Sequence, residues 1–133
     1  MERALVISSK LGNINKVRLF LKELYQEGCL NMDSFNRVFL GISEAVANAI
    51  KHGNQLNPEK KIFIRASLSE NCLHIEVEDQ GEGFCPVALA DPTAAENIRY
   101  EHGRGIYILR QLADQLVFKE DGRKIFIQFT LSE

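Results

Sequence analysis

Two polar side chains four residues apart, Glu44 and Asn48, lie in a segment with the apolar spacing of a helix. Residues four apart on a helix project from the same face, so a carboxylate and an amide are presented to one ligand. Lys51 and His52 follow one turn later on that face. Asparagine is poor inside a helix because its side chain competes for backbone hydrogen bonds, so Asn48 calls for a reason. A solvated helix face is the ordinary alternative, and for an isolated pair it is the stronger one.

A second polar site follows a predicted strand, in the run Asp79-Gln80-Gly81-Glu82-Gly83-Phe84. A carboxylate at a strand end can accept a hydrogen bond from an exocyclic amine, and the glycines allow a positive φ and close backbone approach. The run is neither a G-x-G-x-x-G dinucleotide fingerprint nor a Walker A loop. Taken alone, a glycine-rich turn that carries an aspartate is the commoner explanation.

A third site, Gly103-Arg104-Gly105-Ile106, comes at the start of another predicted helix. Free N–H groups at a helix start favour phosphate, although a lone G-x-G is a weak signal and a plain turn is commoner. Together the three sites supply a general base, a metal ligand, a nucleobase reader and two flexible phosphate loops. Their order, spacing and placement predict a nucleotide site.

Hydrophobic periodicity predicts the elements that position these residues. Apolar side chains recur at helical spacing, as at Val17, Leu21 and Leu24, in three segments. The predicted helices are 14–27, 34–52 and 105–117. Asp33 or Ser34 is predicted to cap the second helix, and Gly53 to end it.

Period-2 alternation predicts two antiparallel hairpins and one further strand. The predicted strands are 3–9, 62–68, 73–78, 116–120 and 124–131. Ser69-Glu70-Asn71 and Asp121-Gly122 are the hairpin turns, and 79–104 is a long loop. We therefore expect an α+β two-layer sandwich with a mixed, mostly antiparallel sheet and the helices on one face. The outward strand face carries Arg65, His74, Glu76, Gln128 and Thr130.

Bulk properties narrow the class of protein. The 133 residues fit one domain, 1–133, and 45% hydrophobic content suffices for one core. The balance of 16 basic and 18 acidic residues argues against a nucleic-acid binder. The chain has no apolar run of transmembrane length, and Cys29, Cys72 and Cys85 share no C-x-x-C spacing. We expect a cytoplasmic protein with reduced thiols and no membrane partner.

The three motifs together resemble those of the GHKL family, whose ATP-binding fold is shared by gyrase, histidine kinases and MutL. Glu44 to Gly53 resembles its N box, Asp79 to Phe84 its first glycine box, and His102 to Ile106 its second. The resemblance covers residues 35–131 and implies the Bergerat ATP-binding fold. The small size and short lid resemble the bacterial anti-sigma factor serine/threonine kinases of the RsbW and SpoIIAB type.

The resemblance implies roles for individual residues and implies ATP and Mg²⁺ as cofactors. Asp79 would accept a hydrogen bond from the adenine amino group, Asn48 would coordinate Mg²⁺, and Glu44 would be the catalytic base. Lys51 pairs with phosphate or is solvated, and His52 is a packing or capping group rather than a catalyst. The other implied ATP contacts are Gly81, Gly83, Phe84, Gly103, Arg104, Gly105 and Ile106.

The resemblance also implies a lid over the phosphates at residues 84–102, with Arg99 and Arg104 either reaching the triphosphate or solvated. The chain departs from the family pattern before its last strand. Many relatives carry a Gly-Thr there whose threonine helps to bind adenine through water, but Gly122 is followed by Arg123 and Lys124. Either that contact is lost or Thr130 supplies it.

The implied activity is phosphorylation of a serine or threonine on a STAS-domain anti-anti-sigma protein. A sigma factor is a further partner that the resemblance suggests, and a homodimer through the strand at 3–9 is left open. Two alternatives remain: a non-catalytic nucleotide-dependent module that sequesters a regulator, and an α+β domain that binds no nucleotide.

Overall fold

The computed structural model of the chain describes residues 2–81, 101–120 and 122–131, with side chains in the last helix described from residue 105 on. The helices and strands there are β1 (Glu2–Ser8), α1 (Ile14–Gln26), α2 (Met32–Asn48), β2 (Lys61–Ser69), β3 (Cys72–Glu78), α3 (Glu101–Leu112), β4 (Gln115–Lys119) and β5 (Lys124–Thr130). A 3₁₀ turn, Leu11–Asn13, leads into α1, and a π-helical turn, Ala49–Gly53, continues α2.

The five described strands form one sheet in the order β1-β2-β3-β5-β4. Each of the four pairings between them is antiparallel. The sequence predicted a mixed, mostly antiparallel sheet, whereas the described part is wholly antiparallel. The predicted α+β class is confirmed. Both hairpins form where the alternation placed them, β2 with β3 and β4 with β5.

The core lies between one face of the sheet and the helices. In β2, for example, Ile62 and Ile64 are buried while Arg65 is exposed, which is the alternation expected of a sheet with one wet face. The helices contribute fully buried apolar side chains to the same cluster: Val17, Leu21, Leu24, Val38, Ile42, Ala45, Val46, Ile106 and Leu109. On the outward face Arg65 donates to Glu76 at 2.6 Å, as a cross-strand pair.

The N-cap of the second helix is a residue that the sequence analysis did not predict. Asn31 is its N-cap, and the Asn31 side-chain oxygen accepts a hydrogen bond from the Ser34 amide at 2.8 Å. The prediction of Asp33 or Ser34 as the cap was therefore wrong by two or three residues. The helical stretch ends at Gly53 as predicted, but through a π-helical turn in which the Asn54 amide donates to the Ala49 oxygen.

The third helix differs from its predicted range at both ends. It runs from Glu101 to Leu112, so Gly103 and Gly105 lie inside its first turns rather than before it. Packing of α3 against α2 outweighs the low helix propensity of glycine. At the other end the Asp114 amide donates to the Gln128 oxygen, which starts the sheet pairing. Leu116, which the predicted helix 105–117 and the predicted strand 116–120 share, is therefore in β4.

Two further expectations concern thiols and membranes. Cys29 and Cys72 are free cysteines, and Cys85 falls outside the described residues. Within the described residues, no helix combines the length and the apolar character needed to cross a bilayer.

Candidate functional site

Asp79 follows directly after β3 and is held in one orientation. Its side chain is buried, with the residue only 5% exposed. The Asp79 amide donates to the Arg123 oxygen at 3.0 Å, and its Oδ1 accepts a hydrogen bond from the Gly81 amide at 2.8 Å. Because Asp79 is held through both its backbone amide and its carboxylate, the carboxylate is a fixed acceptor rather than a mobile surface charge.

The surroundings of this carboxylate change its acidity. Burial raises the pKa of Asp79 above its ordinary value, because the charged form loses hydration. The hydrogen bond from Gly81 and the charges of Arg123 and Lys60 act in the opposite direction, but burial prevails. A raised pKa at a buried carboxyl group is typical of functional groups.

Two glycines make room for Asp79. A Cβ atom on Gly53 would lie 2.5 Å from the Asp79 Cγ atom, and one on Gly81 would lie 2.5 Å from the carbonyl carbon of Gly53. Neither glycine has a positive φ, so the requirement is space and not backbone conformation. The end of the π-helical turn, Asp79 and the first glycine of the loop therefore pack directly on one another.

We expect Gly81→Ala to destabilise the fold, because its methyl group would overlap the backbone of Gly53. Overpacking of this kind costs about 1–3 kcal/mol. Urea unfolding followed by circular dichroism measures the change. Gly12→Ala is the matched control, since nothing lies within 4 Å of a Cβ there. Equal unfolding midpoints for the two variants would contradict the described packing.

A third glycine brings α3 against Glu44. The Glu44 side chain is half-buried, and a Cβ atom on Gly105 would lie 2.8 Å from its Oε2 atom. The first turns of α3 therefore pass directly over the carboxylate of α2. This is the close approach that the sequence attributed to glycine, although it falls inside the helix and not in a loop before it.

Asn48 is the most unusual residue of the site. It is only 4% exposed, and neither its Oδ1 nor its Nδ2 has a hydrogen-bond partner among the described residues. Leaving a buried polar group unpaired costs about 1–3 kcal/mol, so native proteins rarely do so without a functional reason. The amide is therefore suited to a ligand that the protein itself does not supply.

The donor set at this position fits one kind of cation. No group of three or more His, Cys, Asp or Glu side chains within the described ranges is arranged to hold a metal ion. Zinc and calcium sites require several protein ligands, whereas Mg²⁺ keeps several waters and takes one or two protein oxygens together with substrate phosphates. A single amide oxygen from Asn48 fits Mg²⁺ in that second manner.

These residues are spread along one helical segment. Glu44 and Gly53 are nine residues apart, roughly 13 Å along a helix. Gly105 lies against Glu44 at one end, Asp79 lies against Gly53 at the other, and Asn48 is between them. The structure thus places seven of the sequence-predicted residues in or against this segment: Glu44, Asn48, Lys51, His52, Asp79, Gly81 and Gly105.

Two other residues, Ile106 and Thr130, do not join this set. Ile106 was predicted as an ATP contact, but its side chain is fully buried in the hydrophobic core, where it packs α3. Lys51 and His52, by contrast, lie within the segment itself, half-buried in its π-helical turn. Thr130 lies six residues along β5 from Lys124, which pairs with Glu78 beside Asp79. At about 3.3 Å per residue, these six residues place Thr130 roughly 20 Å from the end of β5 that lies beside Asp79. Thr130 therefore cannot supply an adenine contact.

Several predictions fall on residues outside the description. Gly83, Phe84, Arg99 and the lid at 84–102 lie wholly or mainly there. The backbone of Gly103 and Arg104 belongs to α3, but the side chain of Arg104 is not described.

The sequence analysis missed one buried residue of the site, Asn54. It is 1% exposed, and its Oδ1 accepts a hydrogen bond from the Gln80 amide at 2.8 Å. An asparagine next to a helix-ending glycine is ordinarily read as a turn residue. No local pattern in the sequence distinguishes an asparagine in a turn from a buried asparagine that binds a distant backbone amide.

Comparison with known proteins agrees with this geometry. Residues 7–130 match the histidine kinase-like ATPase domain family. Serine-protein kinase RsbW of Staphylococcus epidermidis is 30% identical over 117 residues, which cover 82% of this chain and 74% of that protein. The anti-sigma F factor of Halalkalibacterium halodurans is 31% identical over 87 residues, or 64% of this chain and 60% of that protein.

A solved structure shares the fold. The RsbU and RsbW domains of Rv1364c from Mycobacterium tuberculosis match with a TM-score of 0.68 at 16% sequence identity. The match covers 98% of this chain and 32% of that chain. At this identity the likeness bears on architecture alone. The match over residues 7–130 and the sequence similarity to RsbW show that the chain belongs to the histidine kinase-like ATPase domain family.

Proposed function

We propose that the chain is a protein serine/threonine kinase that binds ATP with Mg²⁺ and phosphorylates a STAS-domain anti-anti-sigma protein. The observation that supports it most is the buried Asn48 amide without a partner among the described residues, one helical turn from the Glu44 carboxylate. A solvated helix face would explain neither its burial nor its unused hydrogen-bonding capacity.

The nucleotide would lie along the segment from Gly53 to Glu44. Asp79 would accept a hydrogen bond from the adenine amino group at the Gly53 end. The length of the segment is comparable to that of a nucleoside triphosphate from base to γ-phosphate. Asn48, between the two ends, would hold Mg²⁺, which neutralises phosphate charge when bound.

Glu44 would act as the general base. As the serine or threonine oxygen forms a bond to the γ-phosphorus, the Glu44 carboxylate accepts the hydroxyl proton. The bond from that phosphorus to the oxygen bridging the β-phosphate breaks, and ADP leaves with the bond's electrons. In phosphoryl transfer the protein chiefly positions groups and stabilises charge, so a carboxylate held against Gly105 is well suited to this task.

The names of the relatives, a serine-protein kinase and an anti-sigma F factor, support the proposed partners. We propose that this chain, acting as one domain over residues 1–133 in the cytoplasm, also binds a sigma factor. A homodimer through β1 belongs to the same proposal, since β1 is an edge strand of the described sheet.

The test is incubation of the chain with γ-labelled ATP, Mg²⁺ and the STAS-domain protein encoded nearby. Label on a serine or threonine of the partner supports the kinase proposal. Tight ATP binding in calorimetry without label transfer identifies a non-catalytic nucleotide-dependent module instead. Absence of any ATP–Mg²⁺ effect on the melting temperature at saturating concentration would show that the chain binds no nucleotide.

We expect Asp79→Asn to weaken ATP binding and to stabilise the free protein at neutral pH. Asparagine keeps an acceptor for the Gly81 amide, but its other group is a donor facing the adenine amine. Losing a hydrogen bond to a charged group corresponds to about a 10- to 100-fold loss of affinity. Calorimetry with ATP and Mg²⁺ measures it.

The stability effect has a defined pH dependence. Because burial raises the pKa of Asp79, the folded protein favours the protonated carboxyl, and ionisation costs stability as the pH rises through that pKa. Asparagine carries no such cost, so its advantage is present at neutral pH and shrinks as acidification protonates Asp79. Melting curves at several pH values check this. A variant less stable than the wild type at pH 7 would contradict the assignment of burial as the dominant influence.

A further inference from the structure

Asn54 occupies a buried position where several chain segments meet. It follows the π-helical turn, and its amide donates to the Ala49 oxygen at 2.8 Å across five residues. Its own oxygen accepts from the Asn57 amide at 3.0 Å. The backbone of Asn54 is therefore satisfied on both sides, and its side chain points into the protein.

The side chain of Asn54 makes hydrogen bonds to three other segments, using both of its N–H donors and one of the two lone pairs of its oxygen. Its Oδ1 accepts from the Gln80 amide at 2.8 Å. Its Nδ2 donates to the Ser9 Oγ atom at 2.7 Å and to the Lys61 oxygen at 3.0 Å. A buried amide bonded through both donors and its oxygen is held in one orientation, and breaking one of these bonds costs more than at a surface. Asn54 therefore joins the end of β1, the start of β2 and the residue two positions after β3.

The hydrogen bond from Gln80 to Asn54 holds the backbone next to Asp79. Three consecutive amides are tied around it: the Asp79 amide to Arg123, the Gln80 amide to Asn54, and the Gly81 amide to Asp79 itself. Of these three bonds, the one to Asn54 is made by a side chain at the end of the helical segment that also carries Glu44 and Asn48. It sets the peptide unit between Asp79 and Gln80, and so the direction in which the carboxylate leaves the backbone.

The backbone after Asn54 is strained. Gln55 and Leu56 have positive φ values of 53° and 61°, although neither is glycine. Left-handed conformations are unfavourable for such residues and persist where the surroundings impose them, often at functional sites. Leu56 is 52% exposed, so its burial does not compensate. The two residues close the turn that directs Asn54 inward, through the Leu56 amide and the Ile50 oxygen at 2.7 Å.

We propose that Asn54 is a positioning residue that orients Asp79 for a purine with an exocyclic amine, and so determines the base preference of the site. This rests on the proposed nucleotide binding and adds to it a residue outside the three motifs. The residue acts through the Gln80 peptide and does not touch the nucleotide. Ligand discrimination, more than overall affinity, is then the property that depends on Asn54.

The test compares ATP with ITP, which carries a carbonyl oxygen in place of the amine. Dissociation constants are measured by calorimetry on the full chain with Mg²⁺. The wild type is expected to prefer ATP. In Asn54→Ala the affinity for ATP is expected to fall about tenfold while that for ITP changes little, so the preference is lost. Asn57→Ala, three residues on and exposed, is the matched control and keeps the preference.

Two further variants separate positioning from stability. Asn54→Asp keeps an oxygen for the Gln80 amide but cannot donate to Ser9 and Lys61, so it is expected to lose stability and keep the preference for ATP. Gln80→Pro breaks the same bond from the other side by removing its N–H donor, and Gln80→Ala retains that donor. Loss of preference in Gln80→Pro but not Gln80→Ala decides the matter even if Asn54→Ala does not fold.

The outcomes are distinguishable. A wild type that prefers ATP, with an unchanged preference in both Asn54→Ala and Gln80→Pro, would overturn the positioning role and leave the nucleotide site standing. Equal losses for ATP and ITP in those variants would do the same, since they indicate general loosening of the fold. A wild type that binds neither nucleotide would overturn the proposed function, and this inference with it.

Discussion

Replacing Glu44 with alanine is expected to reduce phosphoryl transfer about 10²- to 10⁴-fold, the usual contribution of a general base. The affinity for ATP is expected to change little. Glu44 lies on α2 with its Oε2 close to Gly105, at the end of the segment opposite Asp79. It is therefore placed to act on the attacking hydroxyl group and not on the nucleobase. A loss confined to the chemical step is the signature of that role.

Single-turnover transfer to the STAS-domain protein and calorimetry of ATP binding measure the two effects separately. Glu44→Gln is the closest variant, since it keeps the shape packed against Gly105 but cannot accept a proton in the same way. Glu23→Ala removes an exposed carboxylate from α1 and serves as the control. Transfer by Glu44→Ala at the wild-type rate would show that Glu44 is not the base.

Replacing Asn48 with leucine is expected to stabilise the free protein and to abolish the effect of Mg²⁺ on ATP binding. Leucine is close in size and removes an amide that is buried without a partner among the described residues, a cost of about 1–3 kcal/mol. The same change removes the oxygen proposed to hold Mg²⁺. We expect affinity for ATP in Mg²⁺ to fall about 10- to 100-fold, equivalent to the loss of one interaction with a charged group, with binding in EDTA unchanged.

Asn54→Leu is an informative control for the stability arm of this experiment. Both asparagines are buried, but Asn54 makes three side-chain hydrogen bonds, to Ser9, Lys61 and Gln80, and leucine would remove all three. Leucine is therefore expected to raise the melting temperature at position 48 and to lower it at position 54. A lower melting temperature for Asn48→Leu would mean that the amide is satisfied within the protein, which would remove the main support for the metal site. Stability sacrificed at a binding residue is common in natural proteins.

The architecture was largely predictable because periodicity is a local property. Alternation of buried and exposed residues indicated both hairpins, and helical spacing indicated α1 and α2. The predictions failed where neighbours in space decide. Asn31 and not Asp33 or Ser34 caps α2, and α3 includes both glycines because packing on α2 offsets their propensity. Of the two overlapping predictions for Leu116, helix 105–117 and strand 116–120, the helix was wrong, because β5 provides a pairing partner there.

The sequence by itself determined which chemical groups are present and which of them share a face. The four-residue spacing of Glu44 and Asn48, and the position of Asp79 at a strand end, follow from the chain alone. Only the tertiary structure showed that Asn48 is buried without a partner in the described residues, that Asp79 packs on Gly53, and that Asn54 holds the Gln80 peptide. Gln80 and Asn54 are 26 residues apart, and Asn54 and Ser9 are 45 apart. Contacts over such separations leave no mark on local periodicity, because they depend on how the sheet and helices pack and not on the repeat of either.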